Sequence, residues 1–347
     1  MKPYEDLTPR GKLRRIQLLA QVALKAFGFT EARLRLIVDS GNTMYRVKAM
    51  DPSPMERSLY VENCYLLRLH WPGYHSDGAV DSELEWLHAL CDAGLPVPQP
   101  ITTKEGGLST EVSVPGVPGA RRCSLLRWVK GKMAIKLVRP WHMKVIGRLI
   151  AQLHNHASSW KQPLGFVRRH YDRNGLWGDN TGTNYTAGEV WPRIPQRYFK
   201  DFQEVTMRVE RIMNDWGKGP DVYGLIHADL GTKANVLFHS GEARAIDFDD
   251  GGFGYWMYDL AVPLSDWEGE DLWCAYRSAL LEGYTEMRSI PAEQLGQLGL
   301  FQAALRAMEI FWGTASTMRH PGSTYWIERR DKAWRHINRY LKENPQR

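Results

Sequence analysis

The stretch Leu225-Ile-His-Ala-Asp-Leu-Gly-Thr-Lys-Ala-Asn-Val-Leu-Phe238 decides the fold of this chain. Its apolar ends predict two short strands, and the polar residues between them predict a loop that carries His227, Asp229 and Asn235. A third strand-like segment, Ala-Ile-Asp-Phe, follows and delivers Asp247. A hairpin of this kind is expected to bring the two carboxylates and the amide into one small volume.

Phosphoryl transfer requires this set of groups. One carboxylate orients the attacking hydroxyl and accepts its proton, while an amide and a second carboxylate hold Mg²⁺ against the nucleotide phosphates. Each residue alone also has a structural interpretation. Asp229 would cap a turn, Asn235 would adopt a left-handed conformation, and the acidic run that begins at Asp247 would be a solvated turn. Their order between apolar strands favours the phosphoryl-transfer interpretation.

These motifs resemble those of the aminoglycoside phosphotransferase and choline-kinase-like family, relatives of the protein kinases. The family's catalytic loop has the form His-x-Asp-x-x-x-x-Asn, followed by Ile-Asp-Phe or Ile-Asp-Trp, and the chain has His227-Ala-Asp229…Asn235 and Ile246-Asp247-Phe248. Tyr258-Asp259-Leu260-Ala261 resembles the start of the family's next helix. One departure is that five residues, not four, separate the aspartate and the asparagine of the loop. We therefore expect the loop to bulge at Gly231.

The resemblance implies a role for each residue of these motifs. Asp229 would be the catalytic base, and Asn235 and Asp247 would bind the metal ion. His227 would brace the loop through hydrogen bonds. Asp259 would cap the N-terminus of the following helix and also steady the loop.

Two neighbouring residues have open assignments. Asp249 lies two residues beyond Asp247, so in an extended segment it would face the same metal ion. Lys233, within the loop, would either reach the γ-phosphate or remain a solvent-exposed lysine.

In the N-terminal part, the resemblance implies a phosphate-binding turn at Ser40, Gly41 and Asn42. An alternative is that this turn is only a hairpin connection. The next strand carries Arg68 where family members place a lysine or arginine that faces the α- and β-phosphates, and Glu83 on the following helix would orient it. Arginine suits this position because it is always charged and binds phosphate bidentately. Lys48, on the preceding strand, is the alternative cation.

Two other segments have implied binding roles. Residues 125–129, which include Leu126 and Trp128, resemble the hinge whose backbone groups would read the purine edge, so ATP and GTP cannot be distinguished. The acceptor pocket would come from residues 160–200 and from an acidic, aromatic segment. That segment contributes Asp266, Trp267, Glu268, Glu270, Asp271 and Trp273. Carboxylates among aromatic rings suit a cationic, sugar-like ligand, but acids at a helix start are the alternative interpretation.

The periodicity of the rest of the chain predicts an α+β architecture. Residues 9–27 form an amphipathic helix, antiparallel strands and one inserted helix follow, and long helices dominate beyond 138, with breaks near Pro263, Pro291 and Pro321. By resemblance this is a protein-kinase-like bilobal fold. Residues 1–128 would be the nucleotide-binding lobe with a small antiparallel sheet, and residues 129–347 the mostly helical catalytic and acceptor-binding lobe.

Composition limits the possible partners. The net charge is +6, but residues 221–290 hold thirteen acidic and four basic side chains, which argues against a nucleic-acid partner. The chain has no apolar run of the roughly 18–20 residues that span a membrane. The four cysteines form no metal-binding spacing and, without a signal-peptide pattern, indicate reduced thiols in a cytoplasmic protein. We expect a monomer or a homodimer.

We therefore expect a Mg²⁺-dependent enzyme that transfers the γ-phosphate of ATP or GTP to a hydroxyl of a small molecule. The first choice of acceptor is an antibiotic of the aminoglycoside or macrolide type. The alternatives are a metabolic small-alcohol kinase (choline- or homoserine-like), a bacterial protein kinase of the same fold, and a catalytically silent nucleotide-binding module.

Overall fold

The structure is a computed structural model that describes residues 2–50, 59–73, 76–134 and 137–345. The chain divides into two compact units. The first, called here the sheet unit, comprises Met1–Lys132, Gln162–Val167 and Arg244–Asp249. The second, called the helical unit, comprises Met133–Lys161, Arg168–Ala243 and Asp250–Arg347.

The sheet unit is built on one five-stranded antiparallel sheet in the order β1-β2-β3-β5-β4. Its elements are α1 (Pro9–Ala26), β1 (Ala32–Ser40), β2 (Asn42–Ala49), β3 (Tyr60–Leu69), α2 (Asp77–Asp92), β4 (Ser109–Val112) and β5 (Arg121–Val129). The predicted small antiparallel sheet with one inserted helix is therefore confirmed.

The first helix buries the face that the sequence periodicity selects. Thr8 Oγ1 accepts a hydrogen bond from the N–H of Gly11, and the helix begins at Pro9, where the missing N–H costs nothing. The buried residues are Ile16, Leu19, Ala20, Ala23 and Leu24, which pack into one core with apolar residues of the sheet. Burial of this stripe, at roughly 25 cal/mol per Å² of apolar surface, anchors the helix to the sheet.

The helical unit contains a short 3₁₀ helix, Trp191–Arg193, and the remaining α-helices and strands. They are α3 (Pro140–Ser159), β6 (His170–Tyr171), α4 (Arg173–Trp177), α5 (Ala187–Val190), α6 (Gln196–Trp216), β7 (Tyr223–Ile226), β8 (Val236–His239), β9 (Glu242–Ala245, which runs on into the sheet unit's last segment), β10 (Gly252–Tyr255), α7 (Trp256–Ser265), α8 (Trp273–Thr285), α9 (Ala292–Gly296), α10 (Leu298–Arg319) and α11 (Thr324–Glu343). The breaks expected at Pro291 and Pro321 fall between helices, whereas Pro263 lies inside α7. None of the helices in the described ranges has the length and apolarity needed to cross a bilayer.

Helices α3 and α8 pack backbone against backbone through two glycines. A Cβ atom at Gly283 would lie 1.9 Å from the carbonyl oxygen of Lys144, and one at Gly147 would lie 2.0 Å from that of Leu280. No side chain fits at either position unless the helices separate. The sequence pattern does not reveal this contact, because glycine inside a helix usually weakens it.

Gly283→Ala is therefore expected to destabilise the protein by about 1–3 kcal/mol through overpacking. The measurement is the midpoint of thermal unfolding, Tm. Gly78→Ala is the matched control, because Gly78 lies in α2 with no atom within 4 Å of its Cβ position. A wild-type Tm for Gly283→Ala would contradict the close packing of these helices.

Candidate active site

The loop after β7 is held in an unusual backbone conformation by Asp259. Ala228 has φ 65°, a left-handed conformation that costs a non-glycine residue roughly 1–2 kcal/mol. The carboxylate of Asp259 accepts hydrogen bonds from the N–H groups of Ala228 (2.8 Å) and His227 (3.1 Å). These bonds stabilise the strained turn. The predicted N-cap role of Asp259 is wrong, because α7 begins at Trp256 and places Asp259 in its first turn.

Asp259 is itself fixed by a buried hydrogen-bond network that the sequence analysis missed. His154 Nε2 lies 3.0 Å from the carboxylate of Asp259, and Nδ1 lies 2.8 Å from the hydroxyl of Tyr284. Burial lowers the pKa of His154 by more than the nearby carboxylate of Asp259 raises it, so the ring is neutral at pH 7. Burial alone would raise the pKa of Asp259, but the hydrogen bond from His154 and neighbouring groups hold it below its usual value. An ionised Asp259 therefore accepts from the loop and from His154.

Asp229 and Asn235 lie side by side in the loop. Asn235 donates its Nδ2 to Asp229 Oδ2 at 2.7 Å and to the backbone carbonyl of Asp229 at 2.9 Å. Because both partner atoms are hydrogen-bond acceptors, the amide nitrogen of Asn235 faces Asp229 and the amide oxygen of Asn235 faces away from it. His227 is fully buried, and its Nδ1 accepts from the N–H of Asp229 at 3.4 Å, the bracing contact expected from the sequence.

A turn accommodates the one additional residue between Asp229 and Asn235. The N–H of Gly231 donates to the carbonyl of Asp229 at 2.9 Å, and the N–H of Ala234 donates to the carbonyl of Gly231 at 3.2 Å. The chain thus turns at Gly231, where the bulge was expected, and Asn235 still reaches Asp229.

Thr232, which the sequence analysis did not select, ties this turn to the acidic segment. Its buried hydroxyl donates to Asp266 Oδ2 at 3.1 Å and accepts from Trp267 Nε1 at 2.9 Å. Lys233 Nζ lies 4.4 Å from the centre of the Trp267 ring and 3.4 Å from the carbonyl oxygen of Asp266. Asp266, Trp267 and Lys233 therefore form the support of the loop in this conformation.

Glu268 faces a different part of the helical unit. Its Oε2 lies 3.1 Å from Arg306 Nη2 and 3.0 Å from His336 Nδ1, with only 14% of the side chain exposed. Burial alone would raise the pKa of Glu268, but His336 and Arg306 hold it below its usual value. The expectation that Glu268 attracts a cationic acceptor is therefore wrong, because its charge is already compensated. Glu270 and Asp271 are exposed.

In the sheet unit, Arg68 joins two carboxylates. Its Nη1 lies 2.8 Å from Glu83 Oε1, the partner expected from the sequence, and its Nη2 lies 2.9 Å from Asp247 Oδ1. Burial would lower the pKa of Arg68, but Glu83 and Asp247 raise it above its usual value, so the buried guanidinium stays charged. Lys48, the alternative cation, instead donates to the carbonyl oxygen of Glu62 at 3.1 Å.

The backbone turns at Asp247, the first of the acidic residues that follow β9. Asp247 has φ 66°, so the extended geometry expected for this segment is wrong. Phe248 is buried edge-on against Trp86, with ring centres 5.3 Å apart. Asp249 Oδ2 accepts a hydrogen bond from Asn42 Nδ2 at 3.0 Å, and Asn42 Oδ1 accepts from the N–H of Trp71 at 3.0 Å. Asp249 thus fixes the β1–β2 turn.

The predicted nucleotide-binding segments occupy defined places in the sheet. Ser40 and Asn42 pair across a tight β1–β2 turn at Gly41, whose φ of 73° favours glycine. The backbone of Leu126 lies between Leu66 of β3 and Pro100, an interior position in the sheet. That place argues against purine recognition by Leu126. Trp128, nearer the end of β5, has its ring 4.8 Å from the guanidinium of Arg46.

Comparison with known proteins shows which family the chain matches and which kinases it is similar to. Residues 56–295 match the model of the "Phosphotransferase enzyme family". Amicoumacin kinase of Bacillus subtilis (strain 168) is 26% identical over 257 residues, which cover 72% of this chain and 67% of that protein. Homoserine kinase of Janthinobacterium sp. (strain Marseille) is 26% identical over 240 residues, 66% of each chain. The matched regions thus span about two thirds of these relatives.

A solved structure extends the similarity over nearly the whole fold. A microcompartment-associated aminopropanol kinase superimposes with a TM-score of 0.74 and 26% identity, covering 95% of this chain and 99% of that one. This agreement confirms the kinase-like α+β fold expected from the sequence.

Proposed function

The chain belongs to the phosphotransferase enzyme family, and we propose that it transfers the γ-phosphoryl group of ATP to a hydroxyl of a small molecule. An antibiotic is the first candidate acceptor, supported by the similarity to amicoumacin kinase. A small amino alcohol is the second, supported by the aminopropanol kinase that matches 95% of this chain.

One observation carries the proposal: the exposed carboxylate of Asp229 is held in place by its own loop. Asn235 binds one of its oxygens at 2.7 Å, and Asp259 fixes the turn that precedes it. A carboxylate oriented in this way can accept the proton of an acceptor hydroxyl as the oxygen attacks phosphorus. The hydroxyl oxygen forms the new bond, and ADP leaves with the electron pair of the bond that breaks.

Amide and carboxylate side chains supply oxygen atoms, the ligands that a Mg²⁺ ion prefers. We assign Asn235 and Asp247 to it. The amide oxygen of Asn235 points away from Asp229, and 36% of the Asp247 side chain is exposed. When bound, the ion would neutralise charge on the phosphate oxygens. For Asp249, which accepts from Asn42, we propose that it positions the phosphate-binding turn.

We propose that Arg68 orients Asp247 and, through its remaining N–H groups, contributes positive charge toward the nucleotide phosphates. The guanidinium is suited to this role because Glu83 fixes its orientation and keeps it charged. Trp128 is assigned to the nucleotide base rather than Leu126. Lys233 is assigned to support of the loop in the absence of nucleotide and, when nucleotide binds, to the γ-phosphate.

The acceptor is identified by an activity screen with the purified protein. Aminoglycosides, macrolides, amicoumacin, aminopropanol and homoserine are each incubated with MgATP, and ADP release is measured. Growth inhibition by the same antibiotics is compared with and without the expressed gene. Protection by an active gene but not by Asp229→Asn would support the antibiotic assignment. Turnover of aminopropanol or homoserine without protection would overturn it in favour of a metabolic kinase.

The exposed acids Glu270 and Asp271 allow a test of the acceptor's charge. If the acceptor is polycationic, neutralising both (Glu270→Gln with Asp271→Asn) should raise the acceptor KM and flatten its dependence on salt, with kcat unchanged. The reason is that exposed carboxylates would attract a polycation, and salt screens this attraction beyond about 8–10 Å near physiological ionic strength. Removing the two charges removes both the attraction and its sensitivity to salt. Asp215→Asn with Glu293→Gln is the control, since both residues are exposed on the same unit. Equal, flat salt curves for all three proteins would rule out a polycation.

A further inference from the structure

The open face of the first two strands of the sheet unit carries four positive charges. Arg33 of β1 lies directly opposite Lys48 of β2 in the antiparallel ladder. Two residues further along β1, Arg35 lies opposite Arg46. Residues that lie opposite each other share one face of a sheet, and Val47, between the two β2 cations, is buried on the other face in the core with α1. We call these four cations the basic quartet.

The basic quartet is accessible, and its charges are not compensated by the described residues. Arg33, Arg35 and Lys48 are exposed, and Arg46 is partly exposed. In the part of the chain that the structure describes, no carboxylate oxygen lies within 4.0 Å of any of the four. Glu31, just before β1, also lies outside this distance.

The contacts that the two β2 cations do make are with neutral groups. Lys48 Nζ donates to the backbone carbonyl of Glu62 at 3.1 Å. Arg46 Nη2 donates to the sulfur of Cys64 at 3.7 Å, and its guanidinium lies 4.8 Å from the centre of the Trp128 ring. These contacts hold the two side chains against the sheet, but they leave both positive charges available to an anion.

This arrangement is unfavourable for the sheet alone. The Cβ atoms of directly opposite residues lie only about 4.5–5.5 Å apart, and like charges at such positions destabilise the strand pair. The basic quartet contains two such pairs side by side. Features that oppose folding in this way are expected at functional sites, where a ligand offsets their cost. Here the ligand has to be an anion that binds both pairs.

The charge and spacing of the basic quartet define this anion. Each opposed pair carries two positive charges, which match one phosphate monoester group of about −1.5 to −2 better than one carboxylate. The two pairs are two residues apart, about 7 Å at the rise of roughly 3.4 Å per residue in antiparallel strands. Three of the four cations are arginines, whose planar guanidinium binds phosphate through two parallel hydrogen bonds.

The basic quartet is distinct from the turn assigned to the nucleotide phosphates. Asn42 of that turn is four residues from Arg46 and six residues from Lys48 in the same strand, about 14 Å and about 20 Å at the strand rise. Both distances exceed the roughly 8–10 Å over which exposed charges act near physiological ionic strength. Phosphates held at the turn therefore do not neutralise the quartet.

We propose that the basic quartet is a binding site for a free small molecule that carries two phosphate groups about 7 Å apart. One phosphate group binds between Arg33 and Lys48, and the other binds between Arg35 and Arg46. This site goes beyond the function proposed above, and it does not depend on it.

The test uses the full chain in a low-salt buffer without phosphate. The probes are the bisphosphates of linear diols with two to six carbons, the monophosphates of the same diols, and dicarboxylates of the same lengths. Binding is measured by calorimetric titration. We expect one bisphosphate length to bind best, with one molecule per chain and a Kd at least tenfold lower than that of its monophosphate or its dicarboxylate.

Three outcomes of these titrations would overturn the proposal. Absence of binding by every bisphosphate would remove the site, and equal affinity for a monophosphate would remove the requirement for two groups. The third concerns lipids, since their headgroups also carry phosphate. Binding to vesicles of phosphatidic acid in phosphatidylcholine, without binding of any soluble bisphosphate, would indicate a membrane surface as the ligand.

A double variant locates the binding. Arg33→Gln with Arg35→Gln removes one cation from each opposed pair and should raise the bisphosphate Kd by about tenfold or more. Arg14→Gln with Lys25→Gln is the matched control, because it removes the same charge from the exposed face of α1, on the other side of the sheet. The control should keep the wild-type Kd. Wild-type Kd in the quartet variant, or an equal loss of affinity in the control, would overturn the assignment.

The repulsion within the basic quartet has its own test, which needs no ligand. Arg35→Gln removes one of the two opposed like-charged pairs, so it should raise Tm by about 1–2 °C at low salt. The gain should disappear at high salt, where the repulsion is screened. An unchanged or lower Tm at low salt would overturn the unfavourable arrangement on which the proposal rests.

Discussion

Asp229→Asn is expected to lower kcat by about 10²–10⁴-fold, the usual effect of removing a positioned general base. The amide still offers Asn235 an oxygen acceptor, so the loop geometry and the nucleotide affinity should be retained. What it loses is the ability to take a proton from the acceptor hydroxyl. The measurement is kcat on the identified acceptor, with Tm and nucleotide Kd measured on the same preparation.

Asp221→Asn is the matched control for this change. Asp221 is an exposed aspartate just before β7, so the substitution removes the same charge outside the loop. Its kcat should equal that of the wild type. A near-normal kcat for Asp229→Asn would remove Asp229 from the role of base.

The second large effect is expected at Asp247. Asp247→Ala should abolish Mg²⁺-dependent nucleotide binding, because the carboxylate assigned to the ion is gone. It should also lower Tm, since buried Arg68 then loses one of the two carboxylates with which it pairs. Calorimetric titration with ATP, with and without Mg²⁺, measures the binding effect separately from stability.

Two further variants distinguish loss of the ligand from loss of the fold. Asp247→Asn keeps an oxygen for Arg68 and should restore part of the lost Tm, but it should bind MgATP much more weakly than the wild type. Asn235→Ala should weaken binding less than Asp247→Ala, because a neutral ligand is lost. Unchanged MgATP affinity in Asp247→Ala would contradict the assignment of the whole motif.

The sequence was most informative where a local pattern is enough to fix the structure. Neighbouring residues determine the strands of the small sheet, the apolar stripe of α1 and the turn at Gly41. The structure shows each of these features. The Arg68–Glu83 pair was also expected, because the family resemblance implied a cation on this strand and its acidic partner on the following helix.

The sequence was uninformative where the partner lies far away along the chain. Glu268 was expected to attract a ligand, but Arg306, on a helix 38 residues later, neutralises it. His154 supports Asp259 from 105 residues earlier, and no spacing marks it. Thr232 passed unnoticed because its role depends on Asp266 and Trp267, which reach it only after folding.

The central claim is that the chain is a phosphotransferase whose base is Asp229, and phosphorus NMR of the complete reaction tests it most directly. Purified protein, ATP, Mg²⁺ and each acceptor of the screen are followed together. We predict equimolar formation of ADP and one phosphorylated acceptor, with both products lost on chelation of the metal and in Asp229→Asn. Tight binding of ATP without its consumption in the presence of any acceptor would contradict the claim and indicate a silent nucleotide-binding module.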